Sequence, residues 1–266
     1  MLRDFGAGET RWLAKGEALE VDDFAARDAA IAELAALPID VNVVPAANRR
    51  KRLLIADMDS TMIEQECIDE LADEAGVGAL VAGITARAMN GELDFEAALI
   101  ERVGLLKGLN AQVIDHVIRD RITLMSGGKT LVATMKADGA YCALVSGGFT
   151  AFAAEIAAVL GFDENRANTL LVAEGRLTGQ VALPILGKEA KVDALQDISA
   201  RLGVTPAQVL AVGDGANDLG MLALAGTGVA LHAKPSVAAQ CQVRVNHGDL
   251  SALLYLQGYR RDEFLA

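Results

Sequence analysis

LLIADMDST, Leu53–Thr61, is an apolar run that stops abruptly on two aspartates one residue apart. The unbroken apolar character reads as a strand buried on both faces, the kind found inside a helix-covered parallel sheet. Carboxylates are costly to place beside a core unless something pairs with them, and the partner implied here is a divalent cation. Side chains two apart on a strand share a face, so Asp57 and Asp59 can reach one site beyond the strand's C-terminal end.

Two further stretches end in the same way. Val209–Asp218 (VLAVGDGAND) is apolar up to Asp214, with Asn217 and Asp218 just beyond, and Tyr141–Gly148 (YCALVSGG) ends in a hydroxyl and two glycines. A lone aspartate after a strand also serves as the N-cap of the next helix. Three polar strand ends, two of them acidic, point instead to one crevice outside the carboxyl edge of an open α/β sheet, where such folds bind ligands. Ser146 and Gly147 are then placed to hold phosphate oxygens at a helix N-terminus. A second Ser-Gly-Gly at Ser126–Gly128 follows no strand and is assigned a helix-capping role.

The 266 residues are 52% hydrophobic and 23% charged, without low-complexity tracts, as expected of a packed globular protein. The net charge of −12 argues against nucleic-acid binding, which needs a basic surface. It also repels an anionic substrate at long range, so a phosphate site must supply local positive charge from a metal ion, a lysine and backbone N–H groups. Cys67, Cys142 and Cys241 form no CxxC pair, and His116, His232 and His247 lack zinc-ligand spacing. Reduced thiols, the absence of an apolar signal segment in MLRDFGAGETRW, and the absence of an apolar stretch of ~20 residues make a cytoplasmic, non-membrane location the expectation.

Residues 1–50 read as a small α+β appendage: a strand or hairpin in WLAKGEALEV, an amphipathic helix in DFAARDAAIAELAAL and a strand in VNVV. Asn48–Arg52 (NRRKR) reads as a solvated basic linker. From Ile63 to about Thr123, four helical stretches follow one another with apolar residues at three- and four-residue spacing, as in a bundle. α/β alternation resumes at Thr130. LLVAEGRLTGQVAL (170–183) reads as a hairpin, Lys188–Leu202 as a helix, and QVRV as a late short strand.

DMDST, SGG, a lysine-bearing helix and GDGAND, in that order, resemble the haloacid dehalogenase-like superfamily, and within it the phosphoserine phosphatase family, over roughly Arg52–Leu250. The resemblance implies a Rossmann-like parallel-sheet core (51–64 and 124–266), an inserted helical cap (65–123) and the 1–50 appendage. The appendage is either a regulatory-domain remnant or a half-domain completed in a homodimer. It implies Mg²⁺-dependent hydrolysis of O-phospho-L-serine in serine biosynthesis, with Asp57 as nucleophile and Asp59 as general acid/base. Asp57, Asp214 and the backbone carbonyl of Asp59 would ligate the metal, with Asp218 orienting a metal-bound water or Lys191. One or two carboxylate ligands without His or Cys suit Mg²⁺ better than zinc.

Ser146, Gly147, Asn217 and a lysine would bind phosphate. Lys188 and Lys191 share a helix face and geometry leaves both open; the family's spacing to the GDG aspartate matches Lys191. By the same resemblance Glu66 takes the substrate ammonium, Arg102 its carboxylate, and Met89 and Phe95 close over the ligand. Two alternatives keep this engine: another small phosphomonoester, or transfer to an acceptor alcohol such as homoserine. A non-catalytic phospho-ligand sensor is the alternative from a different class.

Overall fold

The structure, a computed structural model, describes residues 8–22, 27–89 and 92–266. Thr10–Ala14 (β1) and Ala18–Val21 (β2) pair as an antiparallel hairpin, and Arg27–Leu34 is α1. Leu53–Ala56 is β3, with every residue buried. Four helices follow without an intervening strand: α2 (Cys67–Glu74), α3 (Gly78–Met89), α4 (Phe95–Leu105) and α5 (Val113–Asp120). The chain continues through α6 (Gly128–Ala137), β4 (Tyr141–Phe149), α7 (Thr150–Leu160) and β5 (Glu164–Asn168). After the antiparallel pair β6 (Leu170–Ala173) and β7 (Arg176–Val181) come α8 (Lys188–Leu202), β8 (Val209–Gly213) and α9 (Leu219–Leu224). β9 (Thr227–Leu231), α10 (Pro235–Ala238), β10 (Val243–Val245) and α11 (Ala252–Leu256) complete it.

The six-stranded sheet has the order β10-β9-β8-β3-β4-β5, and all its pairings are parallel. Strand alternation divides its apolar residues between two cores. Leu54, Ala56, Cys142, Leu144, Leu210 and Val212 pack with α6, α7 and α11 on one face. Leu53, Ile55, Ala143, Val145, Val209 and Ala211 pack with α8 and α9 on the other. Burying a side chain such as Leu53, Leu54 or Ile55 contributes roughly 1.5–3 kcal/mol. The chain builds β4 and β5 outward on one side of β3, then returns to lay β8, β9 and β10 on the other. Asp57 therefore leaves β3 at the topological switch point, where neighbouring loops diverge and open a crevice.

Backbone hydrogen bonds tie the helical insert to the rest of the chain at its linkers and at the β6–β7 hairpin, and α2 and α5 pack on β4 and α7. The insert's outgoing and returning linkers form an antiparallel ribbon, with the Met125 N–H on the Met62 carbonyl (2.9 Å) and the Glu64 N–H on the Thr123 carbonyl (3.0 Å). The β6–β7 hairpin grips the α4–α5 turn: the Gly108 N–H donates to the Leu177 carbonyl, and the Leu177 N–H to the Leu109 carbonyl.

Several local expectations need correction. VNVV is not a strand; the segment docks on edge strand β10 through its side chains. Asn42 both donates to and accepts from the Arg244 backbone, and Asp40 accepts the N–H groups of Asn246, His247 and Gly248. NRRKR is not a solvated run. Lys51 is buried with Nζ on the Ala207 carbonyl at 2.8 Å, Arg49 donates to the Leu256 and Tyr255 carbonyls, and Arg50 stacks on Tyr259. Part of the expected first helix, 23–26, lies outside the described residues. β5 (ENRAN) was not expected as a strand, because its composition is polar. The second Ser-Gly-Gly does cap α6, with Gly127 at the N-cap position, while the Ser126 hydroxyl donates to Asp249.

Candidate active site

Asp57 directly follows β3 and is 5% exposed, with its N–H donating to the Val212 carbonyl of β8. Its Oδ1 accepts the Met58 N–H (2.7 Å) and the Lys191 Nζ (2.7 Å); Oδ2 has no protein partner among the described residues. Lys191 reaches in from α8, 2% exposed, and also donates to Asp218 Oδ1 at 2.5 Å. Lys188 instead points to solvent beside Glu189. Asp218, fully buried, spends its Oδ2 on the Gly215 N–H, which folds the GDGAND turn back on itself. Asp214 accepts the Thr61 hydroxyl at 3.2 Å, which links the β8 end to the β3 end.

Asp57, Asp214 and Asp218 each offer an oxygen, and these atoms lie within 4.8 Å of one another. Asp218 is already committed to Lys191 and Gly215, so Asp57 and Asp214 keep the free donor capacity. Asp59 turns its carboxylate away from that cluster. Its Oδ1 accepts the Cys67 N–H (2.8 Å) and its Oδ2 the Ser146 hydroxyl (3.1 Å).

Burial and the charge of Asp218 push the Asp57 carboxyl well above the usual range, opposed by Lys191. Burial and Asp218 likewise raise Asp214. Burial alone lowers the pKa of an ammonium, yet at Lys191 the Asp57 and Asp218 carboxylates outweigh it and hold the group charged. One ammonium thus sits against a cluster of carboxylates. A hard divalent cation would balance the excess and lower both raised carboxyls, and a donor set of oxygens without His or Cys fits such an ion.

Gly147 and Gly148 extend β4 past Ser146, and close approach demands glycine at both. A Cβ on Gly148 would lie 2.5 Å from Asp59 Oδ2, and one on Gly147 would lie 2.9 Å from Phe95 Cζ. Ser146 accepts the Gly148 N–H while donating to Asp59. Phe95, first residue of α4, thus brings the insert against the phosphate-type turn of the core. Asn217 lies beside Gly215 with no protein hydrogen bond among the described residues.

At the insert side of the crevice, Glu66 accepts the Ser60 hydroxyl at 2.7 Å. The residue is exposed, but its carboxyl is crowded. Lost hydration and the charge of Asp59, with smaller effects of Asp214 and Asp69, push its pKa up to about 7. Arg102 spends only Nε, on the Ala98 carbonyl (3.2 Å), and forms no ion pair among the described residues. Desolvation lowers its pKa, with Asp69, Glu66 and Asp59 opposing. Met89 ends α3, and its side chain lies outside the described residues.

Two functional-looking residues were missed in the sequence. Thr61 stood in the opening motif, its hydroxyl the only hint. Asn168, 2% exposed, bonds to Gly147 and Leu186 and carried no signal, being a polar residue in a polar stretch.

A chain whose central strand delivers an aspartate to a lysine and two further aspartates from the neighbouring strand end can be placed by comparison. The family description of haloacid dehalogenase-like hydrolases matches residues 54–223. The chain belongs to that family. It is 45% identical over 239 residues to the phosphoserine phosphatase of Streptomyces coelicolor, covering 89% of this chain and 58% of that protein. It spans between 53% and 65% of the length of the first three curated relatives it matches. Among solved structures, a HAD family hydrolase from Salmonella enterica serovar Typhi superposes with a TM-score of 0.87. It is 34% identical, over 95% of this chain and 89% of that one. A substrate-bound phosphoserine phosphatase complex superposes at 0.72, 39% identical, over 77% of this chain and 97% of that one.

Proposed function

We propose that the chain is a Mg²⁺-dependent phosphomonoesterase that hydrolyses O-phospho-L-serine to L-serine and phosphate. The observation that carries this reading is a pair of opposite charges, Glu66 and Arg102, facing the Asp57 crevice from the insert with no ion-pair partner of their own among the described residues. A zwitterionic amino acid attached to a phosphate matches them: ammonium to Glu66, carboxylate to Arg102, phosphoryl group to the core.

In this reading an oxygen of Asp57 attacks phosphorus, and the bond from phosphorus to the serine oxygen breaks. Asp59 delivers a proton to that oxygen and serine leaves. Asp59, now a carboxylate, takes a proton from the incoming water, whose oxygen attacks phosphorus as the bond to Asp57 breaks, restoring both aspartates. Lys191, the Ser146 hydroxyl, the Gly147 backbone and Asn217 hold the phosphoryl oxygens and offset the charge that develops on them. Asp57, Asp214 and the Asp59 carbonyl would hold Mg²⁺, which would supply further charge neutralisation. The insert, 65–123, serves as a cap: with Phe95 against Gly147 it shields the aspartyl-phosphate from water until serine departs.

The test is phosphate release from O-phospho-L-serine with Mg²⁺ and with EDTA, beside phosphoethanolamine, phosphoglycolate and an aryl phosphate, each with and without added homoserine. Metal-dependent release that strongly favours phosphoserine is expected. Equal rates on all esters would overturn the substrate assignment, and phosphohomoserine as the main product would make the chain a transferase.

A further inference from the structure

Asn168 closes β5 outside the charged groups of the crevice, and all three hydrogen bonds of its side chain in the structure are to backbone. Nδ2 donates to the Gly147 carbonyl (2.8 Å) and the Leu186 carbonyl (3.2 Å), and Oδ1 accepts the Leu186 N–H (2.7 Å). The amide orientation is unambiguous, since an N–H must meet an acceptor and carbonyls must meet donors. One buried side chain therefore ties together two segments about forty residues apart: the glycine turn after Ser146, and the loop leading into α8, the helix that carries Lys191.

Phe95 touches both segments. A Cβ on Gly147 would lie 2.9 Å from its Cζ, and one on Gly187 3.5 Å from its Cδ1. The ring thus enters a slot between two glycines whose spacing Asn168 sets. Resting on the phosphatase reading above, we propose that Asn168 is a positioning residue. It holds the Gly147 turn and the Leu186–Gly187 loop in the one register that both presents the turn to a phosphoryl group and receives Phe95 when the cap lies against the core. The chemistry selects asparagine. Aspartate keeps the acceptor for the Leu186 N–H but sets a carboxylate oxygen against two carbonyls. An apolar residue strands two buried carbonyls and an N–H.

The variants are Asn168→Asp and Asn168→Ser, the latter keeping one donor and one acceptor should the former fail to fold. Each is made alone and with Phe95→Ala. The readouts are orthophosphate inhibition in the presence of Mg²⁺, kcat and KM for O-phospho-L-serine, and exchange of the Leu186 amide. Orthophosphate affinity is expected to fall about tenfold or more in folded protein, with kcat down by a similar factor and the Leu186 amide exchanging faster in Asn168→Ser. Adding Phe95→Ala is expected to cost less than threefold further, because the slot is already lost. Unchanged orthophosphate affinity, or losses that multiply independently, would overturn the proposal. A wild-type protein that binds orthophosphate but hydrolyses no phosphomonoester would overturn the underlying reading, while the variants' orthophosphate affinities would still decide the positioning role.

Discussion

Arg102→Ala should change what the enzyme prefers more than how well it works. In the structure the guanidinium is half-buried, desolvated and, among the described residues, bonded to protein only through Nε, which leaves its two terminal amino groups to grip a carboxylate in parallel. Hydrogen bonds between charged groups contribute about 1.5–3 kcal/mol each, and solvent access at this mouth discounts the pair to about 3 kcal/mol in total. At 1.36 kcal/mol per factor of ten that is a loss of roughly 150-fold in kcat/KM.

The control substrate is phosphoethanolamine, which is phosphoserine without its carboxylate. Truncating Arg102 also removes a stem that packs in the insert, and that cost falls equally on both substrates. The ratio of the two losses therefore isolates the carboxylate contact. A loss of about a hundredfold or more with phosphoserine and under threefold with phosphoethanolamine is expected. Arg102→Lys should fall between, keeping the charge without the fork. Equal losses on the two substrates would show that Arg102 acts on the fold and would remove the main support for an amino-acid substrate.

Asp57→Asn is nearly isosteric and should leave the fold intact while lowering kcat by more than a hundredfold, since a covalent catalyst normally supplies several kcal/mol; single-turnover phosphate release measures it. Glu66 carries an acid pKa raised to about 7, so it is protonated below that pH and an ammonium contact is lost as pH falls through it. For phosphoserine kcat/KM should drop about tenfold per pH unit on the acid side of that midpoint. This limb should be absent with phosphoglycolate, which has no ammonium, and in Glu66→Gln; the same limb with both substrates would assign it to another group. Asp40→Ala removes the acceptor of three backbone N–H groups at the β10 end and should lower the melting temperature by several degrees without changing KM. A truncation at residue 45 should do the same, since it also removes Asn42.

The parts of this molecule that could be read from the sequence are those in which burial and chemistry coincide. Leu53–Ala56 and Val209–Gly213 are apolar because both faces of a parallel sheet are covered, and they end on aspartates because the sheet's carboxyl edge opens into a crevice. Lys188–Leu202 read as a helix, and the structure places the helix at those bounds. The parts that could not be read are those in which polar side chains replace backbone ladders. Asp40 and Asn42 bond an edge strand without forming one, and Lys51 is buried against a single carbonyl. Asn168 sits in a stretch whose composition resembles a loop. In each case the partner lies far along the chain, so no local pattern predicts the contact. Lys188 and Lys191 show the same limit: helix periodicity puts both on one face, and only the packing of α8 against β4 and α9 separates an exposed lysine from one that is 2% exposed between two aspartates.

The overall charge of −12 then bears on how such a site can take an anion at all. Asp57, Asp214 and Asp218 converge where Lys191 is the cation in direct contact, so the protein alone presents a phosphate dianion with net repulsion. At an effective dielectric near 20, a like-charge pair at 4 Å costs about 4 kcal/mol. On the proposed phosphatase reading, such a crevice would bind a phosphomonoester only when a cation occupies the aspartate cluster first or together with it, and by linkage each would tighten the other equally. The acidic cluster that looks like an obstacle to an anionic substrate would thereby become a condition for admitting it, and a bound cation would offset the upward push that burial and Asp218 exert on Asp57 and Asp214.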